Sequence, residues 1–389
     1  MDHYQTLRRH KVLPGDILVA ALGEPLGRSC RAPTHLGPAI VKADCFRVRP
    51  HEAVSAPLLV HWLNSPQLRE DILESSHGLG RIRINLSDLK SLRVPVPPER
   101  EQRRIVTKLD SLRARSSRAR HELDRIPTLI ERYKQAILAK AFSGELTADW
   151  RVDSTTKWSS TTIGAIAGVG TGATPKRGNL RYYDGGNIPW ITSSAVNQPL
   201  VTQAEQFITE AAIAETNCKV FPKGTILVAM YGEGKTRGTT SVLGIAAATN
   251  QALAAIEITA SQVVPTYVKW LLTSRYMSLR DEAAGGVQPN LNLSIIRSVK
   301  LPLPDADEQS EIVRRIEKVM SWLDKIATVY ARAENLLPKL DQAILAKAFR
   351  GELVSQDPND ELASVLMERI RAERRSADTS TRTRGHRKA

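Results

Sequence analysis

The stretch Gln135-Ala-Ile-Leu-Ala-Lys-Ala-Phe-Ser-Gly-Glu-Leu146 comes back almost letter for letter as Gln342-Ala-Ile-Leu-Ala-Lys-Ala-Phe-Arg-Gly-Glu-Leu353. Each copy closes a long run whose apolar positions step by four and three. In the first these are Ile105, Leu109, Leu112, Ser116, Ala119, Leu123, Ile126, Ile130, Tyr133 and Ile137. In the second they are Ile312, Ile316, Val319, Leu323, Ile326, Tyr330, Ala333, Leu337, Leu340 and Ile344. That spacing is a coiled-coil seam, and each run predicts a long helix whose apolar stripe is best covered by the other. A block of globular size separates the two. Because the ends of a compact domain lie close together, the second helix is expected to start beside the end of the first and run back antiparallel. Pro127 and Pro338 fall inside the helices, where each kinks the rod or costs about 3 kcal/mol.

A 389-residue chain with 42% hydrophobic residues suffices for two ordinary cores besides the helices. Its net charge of +14 points to a polyanionic partner. Aromatic residues are sparse at 5%, which argues mildly against a base-stacking single-strand binder. A helix of this length spans roughly 65 Å at about 1.5 Å per residue, and modules one DNA turn apart need about 35 Å, so the rod is long enough to act as a ruler. Cys30, Cys45 and Cys218 form neither a disulfide framework nor a zinc site, which fits a reducing cytoplasm. The start lacks the apolar core of a signal peptide and no run reaches bilayer length, so a soluble protein without membrane contact is expected.

Residues 1–97 read as an α+β block, with strands at Asp16–Ala21 and Cys45–Arg49 and helical spacing from Pro57 to Leu73. A first spacer helix (98–146), a linker (147–157), a second α+β block (158–304) and a second spacer helix (305–353) follow. The second block repeats the first. Ile17-Leu-Val-Ala20 matches Ile226-Leu-Val-Ala229, Trp62 matches Trp270, Asn85-Leu-Ser87 matches Asn292-Leu-Ser294, and Val94-Pro-Val-Pro97 matches Leu301-Pro-Leu-Pro304. Whole-domain duplication accounts for this, yet Trp158 to Cys218 has no counterpart, leaving the first domain about fifty residues short of its twin. The expectation is a start assigned too late, which a native mass of 43.0 kDa would rule out in favour of a genuine truncation. Beyond Leu353, a cap-like Asp357-Pro-Asn-Asp360 predicts an amphipathic helix over 354–375 with Leu362, Val365, Leu366 and Ile370 on one face. The basic Ser/Thr-rich 376–389 reads as a disordered tail.

Loops of the second block carry the candidate contacts. Thr174, Lys176, Arg177, Tyr182 and Tyr183 sit with Trp190 among glycines, a composition suited to a surface approaching a polyanion; Trp190 itself reads better as core. Lys235 and Arg237 suit phosphate or guanine, Thr239 a base edge, and Gln288 and Asn290 adenine edges. The first block offers Arg28, Arg31, Arg81 and Arg83 at equivalent places. Arg103, Arg104, Arg113, Arg115, Arg118 and Arg120 on the first helix form a solvated face by default, or else touch DNA or a partner. Ala229-Met-Tyr-Gly-Glu-Gly-Lys-Thr236 also fits a relaxed phosphate loop, which would make the chain a nucleotide hydrolase using Lys235. That reading needs a helix directly after Lys-Thr, whereas Arg237-Gly-Thr-Thr-Ser-Val favours a turn and a strand. A coiled-coil scaffold that binds nucleic acid without reading it is a third class. No metal-ligand motif and no methyltransferase Asn/Asp-Pro-Pro-Tyr occurs, and His61 and His77 stand as isolated packing or surface residues.

The doubled domain-plus-helix plan, the two Gln-x-Ile-Leu-x-x-Ala-Phe-x-Gly-x-Leu helix ends and the Gly172-Ala-Thr-Pro175, Tyr182, Ile188-Pro-Trp190 opening resemble a type I restriction-modification specificity subunit over nearly the whole chain. The resemblance implies two tandem target recognition domains separated by two antiparallel coiled-coil helices, each domain reading half of a split DNA site. It further implies two docked adenine-methylating modification subunits, joined by restriction subunits. Catalysis, with S-adenosylmethionine, ATP and Mg, then belongs to the partners and this chain is non-catalytic. The first domain departs from the pattern, since it lacks counterparts of Thr174-Pro175 and Ile188-Pro-Trp190.

Overall fold

A computed structural model describes residues 7, 10–23, 26–74, 83–151, 158–231, 236–283 and 291–385. The chain forms two compact units, one of residues 1–125 with 329–389, the other of residues 126–328.

In the first unit, β1 (Lys11–Val12) pairs with β4 (Ala39–Ile40), and β2 (Ile17–Ala20) lies between β3 (Ser29–Arg31) and β5 (Cys45–Val48), all antiparallel. Helices Ala56–Leu63 and Pro66–Glu74 cover one face of this sheet, burying Ile17 and Val19 with Leu59, Leu63, Leu68 and Ile72. Ser55 caps the first of them through the Leu58 amide, and Asn85 with Asp88 forms a capping box on helix Leu86–Ser91. Leu18 and Ala20, on the other face of β2, stay half-exposed.

The second unit explains that asymmetry. Its strands are β6 (Ser159–Thr162), β7 (Ala167–Thr171), β8 (Ile188–Ile191), β9 (Leu200–Val201), β10 (Gln206–Ile208), β11 (Val220–Phe221), β12 (Ile226–Ala229), β13 (Thr240–Leu243), β14 (Ala247–Thr249), β15 (Leu253–Ile258) and β16 (Lys300–Leu303). They form sheets ordered β7-β15-β12-β13-β9 and β10-β8-β14-β11, with β6 against β16. The same Ile-Leu-Val-Ala letters in β12 are buried on both faces. Ile226 and Val228 enter a core with helix Pro265–Ser274, while Leu227 and Ala229 enter a second core with Ile191, Val196, Val201 and Phe221. Ile191, Val196 and Val201 of that second layer come from residues ahead of β11, and among the described residues nothing equivalent covers Leu18 and Ala20 of β2.

The long helices run uninterrupted from Glu99 to Ser143 and from Ala306 to Phe349, through Pro127 and Pro338. Their pairing is antiparallel in each unit. In the first, Ile105 and Leu109 meet Leu345 and Ala348, and the Ser116 hydroxyl and Arg120 reach Asp341 at 2.7 and 3.1 Å. In the second, Leu138 and Ala141 pack with Ile312, Val313 and Ile316, and Lys134 lies 3.8 Å from Asp324. Leu323 is buried and Leu112, Leu123, Ile130, Leu337 and Ile344 are half-buried, but Ala119, Tyr133 and Leu340 are exposed. A 3.6-residue helix drifts away from a 3.5-residue seam, and a single partner helix covers only a narrow strip.

The stretches that follow the two long helices make specific contacts. After the first helix the buried Thr147 hydroxyl donates to buried Glu308 at 2.6 Å, Arg151 lies 3.3 Å from the same carboxylate, and exposed Asp149 pairs with Arg315 at 2.6 Å. The C-terminal helix starts at Ala363, because Asp357 is used in a turn with Asn359 and Asp360 is drawn to Arg104 at 2.5 Å. It also continues to Gly385, through residues whose composition suggests coil; an established helix adds residues without a new nucleation cost. Leu366 and Ile370 are its buried face, and Arg369 reaches Glu99 at 2.7 Å.

Candidate nucleic-acid interface

The loops after β7 and β12 leave the same end of the five-stranded sheet, where Thr171 stands opposite Ala254 and Ala229 opposite Leu253, and Leu291 at the end of a third loop is bonded beside them. The first follows β7. At Gly172 a Cβ would lie 1.7 Å from the Thr249 carbonyl oxygen, so only glycine lets the chain pass. Beyond it the loop is clamped from below. The Trp190 indole donates to the Ala173 carbonyl at 3.1 Å, the Tyr183 hydroxyl to Pro175 at 2.7 Å, and the Thr174 hydroxyl to the Gln251 side chain at 2.6 Å. Trp190 is core, as its composition suggests, with Ile208, Ala212, Cys218 and Ala248 around it. Tyr182 and Tyr183 are half-buried against that cluster. Burial pushes the Tyr183 phenol up while the nearby Arg177 guanidinium pulls it down. Lys176 and Arg177 emerge exposed at the tip.

The second loop joins β12 to β13. Gly238 adopts a left-handed φ of 85° and donates to Ala229, which donates in turn to Thr239. Thr236–Thr239 is a turn that leads straight into an antiparallel strand, with Arg237 and Thr239 half-buried. The helix that a phosphate loop requires after Lys-Thr is therefore replaced by a hairpin, which removes the nucleotide-hydrolase reading; Lys235 itself lies outside the described residues. The third loop ends at Leu291, and Gln288 and Asn290 also lie outside the described residues. Backbone bonds tie these loops together: Met230 donates to Ala252 at 2.8 Å and accepts from Leu291 at 3.1 Å, next to the Gln251 that holds Thr174.

The first domain repeats the scaffold bond for bond. Ala21 donates to Asp44 at 2.9 Å and accepts from Ile84 at 3.1 Å, and Gly27, at φ 73°, donates to Ala20 as Gly238 does to Ala229. Arg28 thus occupies the position of Thr239, and it and Arg31 are exposed. Arg83 is paired with Asp44, and Arg81 lies outside the described residues. Of the helix arginines, Arg104 holds Asp360, Arg113 contacts His61 and Arg120 holds Asp341, so these support the fold; Arg115 and Arg118 are exposed.

The family model for the type I restriction modification DNA specificity domain matches residues 9–127 and again 155–333. The chain belongs to this family. It is 27% identical over 353 residues to the StySPI specificity subunit of Salmonella potsdam, covering 85% of this chain and 74% of that one. It is 26% identical over 358 residues to the EcoKI specificity subunit of Escherichia coli K12, covering 85% and 75%. The HsdS subunit of Thermoanaerobacter tengcongensis shares the fold with a TM-score of 0.65 at 23% identity, over 89% of this chain and 84% of that one. A structure from work on assembly and conformational transition of the type I R-M system does so at 0.69 and 22%, over 88% and 83%. As a specificity subunit, the chain is the non-catalytic, DNA-recognising member of its system, built of two α+β domains each followed by a long helix. No helix among the described residues is long and apolar enough to cross a membrane.

Two residue sets escaped the sequence reading. Gln251, which clamps Thr174, sits in a turn with nothing to mark it. Gln102 and Gln309, at the start of the long helices, look like solvated first-turn residues but are buried and make the same three bonds in each domain. Their matching places after the Pro-x-Pro segments were the available signal.

Proposed function

We propose that the chain reads a split DNA target, one half-site per domain, for a type I restriction-modification complex acting in the cytoplasm. Its paired helices carry two adenine-methylating modification subunits, which restriction subunits join. The doubling supports this reading: the specificity-domain match occurs twice, and the same backbone bonds hold the same two loops in both copies. Lys176 and Arg177, lifted by the Trp190 and Tyr183 clamp, take phosphates, as do Lys235 and Arg237. Thr174, Thr239, Gln288 and Asn290 supply base-edge contacts, and Tyr182 and Tyr183 hold the loop against the duplex. In the first domain Arg28, Arg31 and Arg81 act likewise, and Arg83 exchanges Asp44 for phosphate. The helices leave apolar surface for partners: Val329, Leu336 and Leu340 in the first unit, Leu129, Tyr133 and Trp322 in the second, are all exposed. S-adenosylmethionine, ATP and Mg serve the partner subunits, and this chain supplies position. Mapping N6-methyladenine in cells with and without the gene tests the reading. A split motif that vanishes on deletion is expected, and an unchanged methylation pattern refutes it.

A further inference from the structure

We propose that Gln251 is a base-reading residue of the second domain, its side-chain amide set to take the major-groove edge of a purine; this rests on the reading that the domain recognises a DNA half-site. Gln251 lies in the turn between β14 and β15, among the loops that carry the candidate contacts. The turn is fixed at both ends. The Asn250 amide donates to the Ile191 carbonyl at 3.0 Å, the Ala252 amide to the Asn250 Oδ1 at 3.1 Å, and the Met230 amide to the Ala252 carbonyl at 2.8 Å. The turn also begins against the first loop, since the Thr249 carbonyl is what leaves no room for a Cβ at Gly172.

Gln251 itself is exposed, and a long exposed side chain ordinarily samples many rotamers. This one is held. Its Oε1 accepts from the Thr174 hydroxyl at 2.6 Å, which orients the amide before any ligand arrives. Among the described residues Nε2 has no partner, so both of its N–H donors remain for a ligand. A purine presents N7 as an acceptor, with the O6 acceptor of guanine or the N6 donor of adenine beside it. The second N–H of Gln251 suits the former, and the remaining lone pair of Oε1 the latter. The Thr174 hydroxyl, its proton committed to Gln251, keeps its own lone pairs for a base donor. The first domain supplies an internal comparison. Ala229 stands opposite Leu253 as Ala20 stands opposite Cys45, and the next amide donates one residue further on, Met230 to Ala252 and Ala21 to Asp44. That register puts Ala43 at the place of Gln251, equally exposed and with no side-chain donor. The same backbone turn thus carries an amide in one domain and a methyl in the other, so the fold does not require the glutamine.

The test replaces the gene in its own cells by Gln251→Glu and Gln251→Ala and maps N6-methyladenine beside the parent. The parent's split motif tests the half-site reading; without one, that reading and this inference fall together. Gln251→Glu keeps an acceptor for the Thr174 hydroxyl but has no N–H, and a carboxylate accepts from the cytosine amino group. A purine at one position of one half-site should therefore give way to cytosine, with the preference for purine falling about tenfold or more. Gln251→Ala should leave that position unread, and in both variants the other half-site and the spacing stay as in the parent. A role confined to holding Thr174 predicts an unchanged motif in Gln251→Glu, and that result overturns the proposal. Loss of all methylation in both variants also overturns it, because one base contact accounts for one position and not for the whole site.

Discussion

Gln309→Ala should unfold the second unit far more readily than the loss of one helix-surface amide would suggest. The Gln309 side chain is fully buried. Its oxygen accepts from the Val264 amide at 2.8 Å, and its nitrogen donates to the carbonyls of Gln262 and Pro304 at 3.1 and 2.9 Å. Truncation leaves one amide and two carbonyls without partners at the junction of the long helix, the Pro265–Ser274 helix and the end of β16. At about 1 kcal/mol net per bond the loss is about 3 kcal/mol, and unrelieved desolvation raises it. Urea denaturation followed by tryptophan fluorescence checks this, fitted for two units rather than one. With a slope of about 2–3 kcal/mol/M the transition of this unit should fall by about 1 M. Gln309→Glu is the sharper control. It keeps the acceptor for Val264 but turns an oxygen towards two carbonyls, so at neutral pH it should be worse than alanine, with relief as acid protonates it. A Gln309→Ala protein within about 0.5 kcal/mol of the parent would refute the reasoning. Gln102, bonded to Ser55, Ala53 and Pro97 in the same pattern, should behave alike in the first unit.

The remaining expectations concern pH, DNA and backbone space. Burial, then the neighbouring Arg113, pushes the His61 imidazole below its ordinary pKa, and since Arg113 can only donate to Nδ1 at 3.2 Å, the neutral ring carries its proton on Nε2 towards Asp110. The unfolded chain then binds the proton better, so His61 adds stability above about pH 6.5 that is lost as pH falls through the depressed value; His61→Gln should flatten this part of the stability profile, as read from denaturation at pH 7 and pH 5. Removing Lys176 and Arg177 together should reduce the slope of log K against log salt for target DNA by about 2, and an unchanged slope excludes them as phosphate contacts. Gly172→Ala drives a methyl into the Thr249 carbonyl and should destabilise the second domain by about 1–3 kcal/mol while weakening recognition of its half-site; a calorimetric melt unchanged from the parent would show that the loop can move aside.

The helices were legible because period and repeat are one-dimensional signals: the letters Gln135–Leu146 and Gln342–Leu353 predict two antiparallel rods that each unit contains. Burial along the seam was less so. Tyr133 fits the heptad yet is 57% exposed, since coverage depends on where the partner helix and the domain end, which the pattern does not record. Ile-Leu-Val-Ala reads identically in β2 and β12, but only the second is buried on both faces, a difference set by residues distant in sequence. The arginines of the first helix show the same limit. Arg104 and Arg120 look like a solvated or DNA-facing row, and their actual partners Asp360 and Asp341 lie more than two hundred residues away.

The loops that carry the candidate contacts are held in both domains chiefly by backbone groups: Met230 to Ala252 and Leu291, Ala21 to Asp44 and Ile84. A backbone bond does not depend on the side chain beside it, so tip residues can change while the loop stays anchored. The two copies already demonstrate the tolerance, with Arg28 standing where Thr239 does on the same Gly-initiated turn. The clamp under Lys176 and Arg177 differs in kind. It uses the Trp190 indole, the Tyr183 hydroxyl and the Thr174–Gln251 pair, all side chains, and no such clamp occurs among the described residues of the first domain. Exchanging tip residues in the hairpin loops should therefore alter readout without loss of stability, whereas exchanging the clamp should release the loop and remove its phosphate contacts together.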